Sequence, residues 1–142
     1  MLNGCWPRGR ELPFRVISQS TPWRPGQDEP AYFVVTGKNW QNYYGSLPAG
    51  ADLANNIYIV ASWGTQPNPG YRMSVMAVRQ VGGRVQVAVE QLEPESGSVY
   101  AQVLVYPIVV AEVARKSIDG GRVNFQFMNQ RGAPLAGVDA DI

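Results

Sequence analysis

Between Ile57 and Ser117 the chain reads as four strand-like segments, with one crowded turn among them, Trp63-Gly64-Thr65-Gln66-Pro67-Asn68-Pro69-Gly70-Tyr71. Part of this run alternates apolar and polar residues at a period of two, the spacing that puts one face of a strand in a core and the other in water. The alternation is cleanest from Arg84 to Leu92: Val85, Val87 and Val89 fall on one face, Arg84, Gln86 and Glu90 on the other. Short runs of this kind, bounded by glycine and proline, build sheets that stack or curl on themselves.

The flanking segments extend the pattern. Leu12 to Ser18, carrying Phe14, Val16 and Ile17, and Ala31 to Thr36 predict two earlier strands. The three prolines between Ser20 and Pro30 predict a loop, with Trp23 folded back over the core. From Lys38 the period changes: Trp40, Tyr43, Tyr44 and Leu47 follow the i, i+3, i+4, i+7 spacing of one helical face. Thr36 is placed to cap that helix, and Gly45 and Pro48 to end it. Tyr71 to Val81 becomes apolar on both faces at Met76 and Val78, which predicts a bulge or two-sided burial. Gly82-Gly83 predicts a two-residue hairpin with positive φ at both positions. Tyr100 to Tyr106 reads as a strand, stopped by Pro107 at an edge, a bulge or a crossing between sheets. Ile108 to Arg115 continues as a strand, and Val123, Phe125 and Phe127 share the core face of another.

The sum is a mainly β fold: an antiparallel β-sandwich or partly open barrel of about seven or eight strands with one short helix. Residues 1–12 are expected to be a flexible tether, residues 13–130 a single β-rich domain, and residues 131–142 a loose tail.

Composition narrows the chemistry. The 142 residues include no histidine, which removes the commonest general base, metal ligand and near-neutral pH switch. A single cysteine, Cys5, leaves no internal disulfide and no zinc-ligand pair. Acids are scattered or sit in turn-like contexts, as with Glu93 and Glu95 beside Pro94, and read as solvated charges. Twelve basic and eleven acidic residues are intermixed, without the dense basic stripe that a nucleic-acid backbone requires. No stretch approaches the roughly 20 apolar residues that span a bilayer. The expectation is a non-enzymatic domain with no cofactor and no metal. The weakest alternative, an enzyme, would need Lys38, Asp52 and Tyr58 to converge in a cleft.

The ordered features from Tyr32 to Lys116 resemble the C-terminal domain of PrcB-type subunits of bacterial protease complexes. The residues that carry the resemblance are the segment Lys38 to Tyr44 with Trp40, then Pro48, Asp52 and the strand Ile57 to Trp63. The turn Gly64, Pro67, Gly70 and Tyr71 follows, and lastly Tyr106-Pro107. The resemblance implies a secreted or lipid-anchored envelope protein without catalytic residues, which stabilises a protease complex. Its partner would then be a protein, such as a secreted protease. Pro67 and Pro69 make the turn stiffer than the family form. The contact surface implied is Trp63, Gln66, Asn68, Pro69 and Tyr71, because loops on rigid β scaffolds often carry recognition. The structural alternative has Gly70 supplying a positive φ and Trp63 and Tyr71 plugging the core.

Two other readings stay open. Trp40, Asn42, Tyr43 and Tyr44 could stack on sugar rings, as in a carbohydrate-binding module. Asn68-Pro69-Gly70-Tyr71 also resembles the Asn-Pro-Thr-Thr-Gly loop of chagasin-type protease inhibitors, although Trp23-Arg24-Pro25 lies upstream and reversed. Finally, Leu2-Asn3-Gly4-Cys5 is similar to the end of a bacterial lipoprotein signal, which implies lipidation at Cys5, a membrane tether and an extracytoplasmic location.

Overall fold

The computed structural model describes residues 9–18, 28–43 and 50–142. They form nine strands: β1 (Arg10–Glu11), β2 (Phe14–Ser18), β3 (Ala31–Val35), β4 (Asn56–Ser62), β5 (Arg72–Val81), β6 (Arg84–Leu92), β7 (Ile108–Ala114), β8 (Arg122–Met128) and β9 (Pro134–Asp141). Five make one sheet in the order β1-β5-β6-β8-β9, and four make a second in the order β2-β7-β4-β3. The expected sandwich is therefore present. Every strand pair is antiparallel except β6–β8, which runs parallel with Arg84 opposite Asn124. The parallel pair follows from connectivity: after β6 the chain crosses to the other sheet as β7, then returns as β8.

The main core lies between the sheets. Val85, Val87 and Val89 of β6 and Val123, Phe125 and Phe127 of β8 meet Ile57 and Ile59 of β4 and Val109 and Val113 of β7. The six residues of β6 and β8 are those that alternation placed inward, since a side-chain period of two leaves no choice once one face is buried. Tyr32 on β3 adds a tilted ring contact with Phe127, centroids 5.3 Å apart. The four-stranded sheet is buried on its other face too, where Phe33, Val35, Tyr58, Val60, Ile108 and Val110 form a second cluster. Burial on both sides explains why β4 reads as an unbroken apolar run rather than an alternation.

Several expectations are corrected. The tail expected to be loose contains β9, which pairs with β8 along its length and packs Leu135, Ala136 and Val138 against the core. The tether is corrected at its end: Arg10–Glu11 pairs with β5 and Leu12 is buried. Arg10 is held there by Gln80, whose buried amide accepts from Arg10 Nη2 (3.2 Å) and Asp119 N (2.9 Å) and donates to Gly82 O (3.1 Å) and Asp119 O (2.8 Å). The strand expected from Tyr100 to Tyr106 is an irregular connection whose one β-bridge among the described residues is Gln66–Val105. It has to travel from one sheet to the other, and sheets stack roughly 10 Å apart, so it cannot run along an edge. Of the readings offered for Pro107, the crossing is the one realised.

The helix expected from Lys38 is a 3-10 turn over Trp40–Tyr43, with Thr36 Oγ1 accepting from Lys38 N at 3.1 Å. Tyr44 and Leu47, which would extend it, lie outside the described residues, as do Cys5 and Trp23. In the β5–β6 hairpin only Gly82 has a positive φ, +60°. The doubled apolar face at Met76 is a bulge, with the register shifting between Val75 and Ala77.

Candidate functional site

The turn after β4 is held from both sides. Trp63 N donates to Pro107 O (2.9 Å), Gln66 N to Val105 O (2.8 Å) and Val105 N to Gln66 O (2.9 Å), which ties the turn to the crossing segment. Thr65 N donates to Asp28 O at 3.0 Å. Pro67 and Pro69 have no N–H and fixed φ, so order inside the turn falls to Asn68, whose Oδ1 accepts from Gly70 N at 2.8 Å.

Two glycines are required for different reasons. Gly64 has φ of +85°, and a Cβ there would stand 2.6 Å from Asp28 O and 3.1 Å from Pro30 N. Gly70 does not have the positive φ expected of it. Its Cβ would instead stand 2.8 Å from Pro94 Cγ and from the Tyr100 ring. Backbone cannot yield as side-chain tips can, and φ near +85° is itself costly for alanine. Gly64→Ala is therefore expected to destabilise by about 1–3 kcal/mol and Gly70→Ala by less than Gly64→Ala. Urea unfolding of both variants checks the order; equal costs would contradict the close approach to Asp28.

The structure separates the five residues expected at the contact surface. Trp63 is half-buried against the core and meets the Tyr71 ring edge-on, centroids 5.5 Å apart. Gln66 contributes its main chain, and Asn68 caps the turn. Pro69 and Tyr71 line a cleft of about 530 Å³ that runs past Met73 to the crossing segment at residues 105–107. Beside it stand exposed apolar side chains: Val99 (94% exposed), Val103, Leu104 (61%) and Tyr106. No charged residue occurs from Ser96 to Ala111. Reading the Val and Tyr content as strand hid this surface; the signal that could have found it was the charge-free run with three successive apolar residues, Val103-Leu104-Val105.

A second polar cluster joins two of the three residues named for an enzyme. Tyr58, Glu112 and Arg15 face one another across three adjacent strands. The Tyr58 hydroxyl accepts from Asp52 N (2.7 Å) and donates to Glu112 Oε2 (2.8 Å), while Arg15 donates to Glu112 Oε1 through Nη2 (2.8 Å) and Nε (3.2 Å). Burial pushes Glu112 up, but the Arg15 and Tyr58 hydrogen bonds outweigh it and hold the carboxyl below its ordinary value. Burial raises Tyr58. The Asn55 side-chain bond lowers Asp52. Lys38 is not part of the cluster: it is exposed, and its main chain bonds Thr36. The geometry is that of a brace pinning an edge strand and a loop to the sheet. Of the aromatic platform considered for sugar, Trp40 and Asn42 are exposed. The side chains of Tyr43 and Tyr44 lie outside the described residues.

Residues 57–114, from β4 through β7, match the family model described as PrcB C-terminal. No curated protein and no solved structure matches the chain.

Proposed function

We propose that this chain, whose residues 57–114 match the family model described as PrcB C-terminal, is a non-enzymatic protein-interaction domain of a bacterial envelope protein that stabilises a secreted protease complex. The observation that carries the reading is position: the cleft from Pro69 to Pro107 is lined wholly by the family-matched segment. An apolar cleft flanked by exposed Val103, Leu104 and Tyr106 suits a protein partner, since interface centres are depleted in charge and rich in aromatic side chains. Extracytoplasmic location and a lipid tether through Cys5 belong to the same proposal.

The test uses the chain, tagged at its C-terminus, as bait in the envelope and secreted fractions of its source bacterium. Captured proteins are identified by mass spectrometry. The expected result is a protease whose recovery falls about tenfold or more with Leu104→Asp, a truncation-scale loss for an anchor at an interface. Leu104 is mostly exposed, so circular dichroism of that variant should be unchanged. Retention of polysaccharide with no protease, or capture indifferent to Leu104→Asp and Tyr71→Ala, overturns the proposal.

A further inference from the structure

Among the described residues, the stretch of sheet edge that forms one wall of the cleft is unpaired. In the five-stranded sheet, β1 lies outside β5 but covers only Arg79 and Gln80, and Leu12 N adds one bond to Val78 O at 2.8 Å. Among the described residues no strand lies outside β5 from Arg72 to Val75.

Which main-chain groups face that edge follows from β6. Gln91 is opposite Met73, and its main chain turns toward β8: Gln91 N donates to Gln130 Oε1 (3.0 Å) and Gln91 O accepts from Gln130 Nε2 (2.7 Å). Opposed residues in an antiparallel pair direct their groups either both inward or both outward. Gln91 faces outward from the pair, so Met73 does also, on the opposite side, and Val75 repeats it two residues later. The direction agrees with Val78 O beyond the Met76 bulge, which reaches Leu12 on the same side. Met73 is 3% exposed, and no hydrogen bond among the described residues reaches its N–H or C=O from the edge. More than nine in ten such buried main-chain groups are paired in folded proteins. Here they sit in the wall of a cleft.

The neighbours define what would pair with them. The side chains that line the cleft are uncharged apart from Arg72, which is exposed and has no ion-pair partner among the described residues. We propose that this slot receives an extended, mainly apolar segment of a partner polypeptide as an added strand beside β5. Main-chain hydrogen bonds to Met73 hold the segment, and an acidic residue on it meets Arg72. Strand addition draws affinity from the main chain and specificity from pockets for alternate side chains; Tyr71, Leu92 and Tyr106 supply the pocket walls. The inference rests on the protein-binding reading above and specifies its mode.

The test is selection of a displayed library of random heptapeptides on the full chain, followed by synthesis of the winners. Selected peptides are expected to alternate apolar residues and to carry Asp or Glu. N-methylation of the alternate amides that face β5 should weaken binding about tenfold or more, as loss of two or more hydrogen bonds requires, while methylation of the other amides should not. Bound peptide should slow hydrogen exchange at the Met73 amide, and Arg72→Glu should switch the selected charge to Lys or Arg. Failure to enrich any peptide, insensitivity to N-methylation, or unchanged Met73 exchange overturns strand addition. A protease captured by a chain that fails these tests keeps the interaction reading and discards this mode; peptides that pass without a captured protease do the reverse.

Discussion

Phe125→Ala is expected to lower the free energy of unfolding by about 3–5 kcal/mol, the usual range for truncating a buried phenylalanine. Phe125 has no exposed surface and stands on β8, between Val85 on β6 and Val138 on β9. β8 is hydrogen-bonded to a strand on each side, so the walls of the new cavity collapse little, and the cavity adds to the lost transfer energy. Single domains hold only about 5–15 kcal/mol in total, so the variant should sit near the edge of folding at 37 °C. Urea unfolding at 25 °C measures the effect as a fall in midpoint with unchanged slope. A cost under about 1 kcal/mol would show that the two sheets do not close on this side chain. Val138→Ala on the edge strand β9, where the side chain is half-buried, should cost roughly 1 kcal/mol.

Glu112→Ala is expected to cost about 1–3 kcal/mol at pH 7, because it strips the buried Tyr58 hydroxyl of its acceptor. The Glu112 side chain is only 16% exposed, whereas Arg15 is 73% exposed. Most of the loss therefore comes from the tyrosine, and the ion pair adds little once solvent screening is counted. Tyr58→Phe should produce a loss of similar direction, since it leaves Asp52 N–H without its acceptor.

The pH dependence has a definite sign. The folded pKa of Glu112 lies below its ordinary value of 4.5, so the carboxylate contributes stability above that value and loses it as pH falls through the folded pKa. Wild type should therefore lose stability between about pH 5 and pH 3 faster than Glu112→Gln, which has no proton to take up there. Urea midpoints for both proteins across that window check it. Parallel curves would mean that Arg15 and Tyr58 do not favour the charged form.

Part of the candidate site is legible in the sequence. Pro69 and Tyr71 were identifiable because two prolines and a glycine within four positions can only be a stiff turn, and such turns on β scaffolds face outward. The rest was not. Met73 reads as an ordinary inward residue of β5, and whether its main chain is paired depends on where β1 ends. Tyr106 and Pro107 read as the close of a strand, because valine and tyrosine have the same local preference in a strand as in a connection between sheets.

The same division holds for the fold. Alternation at β6 and β8 determined by itself that Val85, Val87, Val89, Val123, Phe125 and Phe127 face inward, since a one-residue slip would expose every one of them. Glycine placement determined the hairpin at Gly82. Only the tertiary structure decided that Pro134–Asp141, with its proline and glycine, becomes β9, because its order comes from the free edge of β8 rather than from its own propensity. The parallel β6–β8 pair, and the edge of β5 left unpaired among the described residues, were decided in the same way. Period and turn chemistry act over a few neighbours in the chain; which edges are filled and which are left open depends on segments tens of residues apart arriving at the same place.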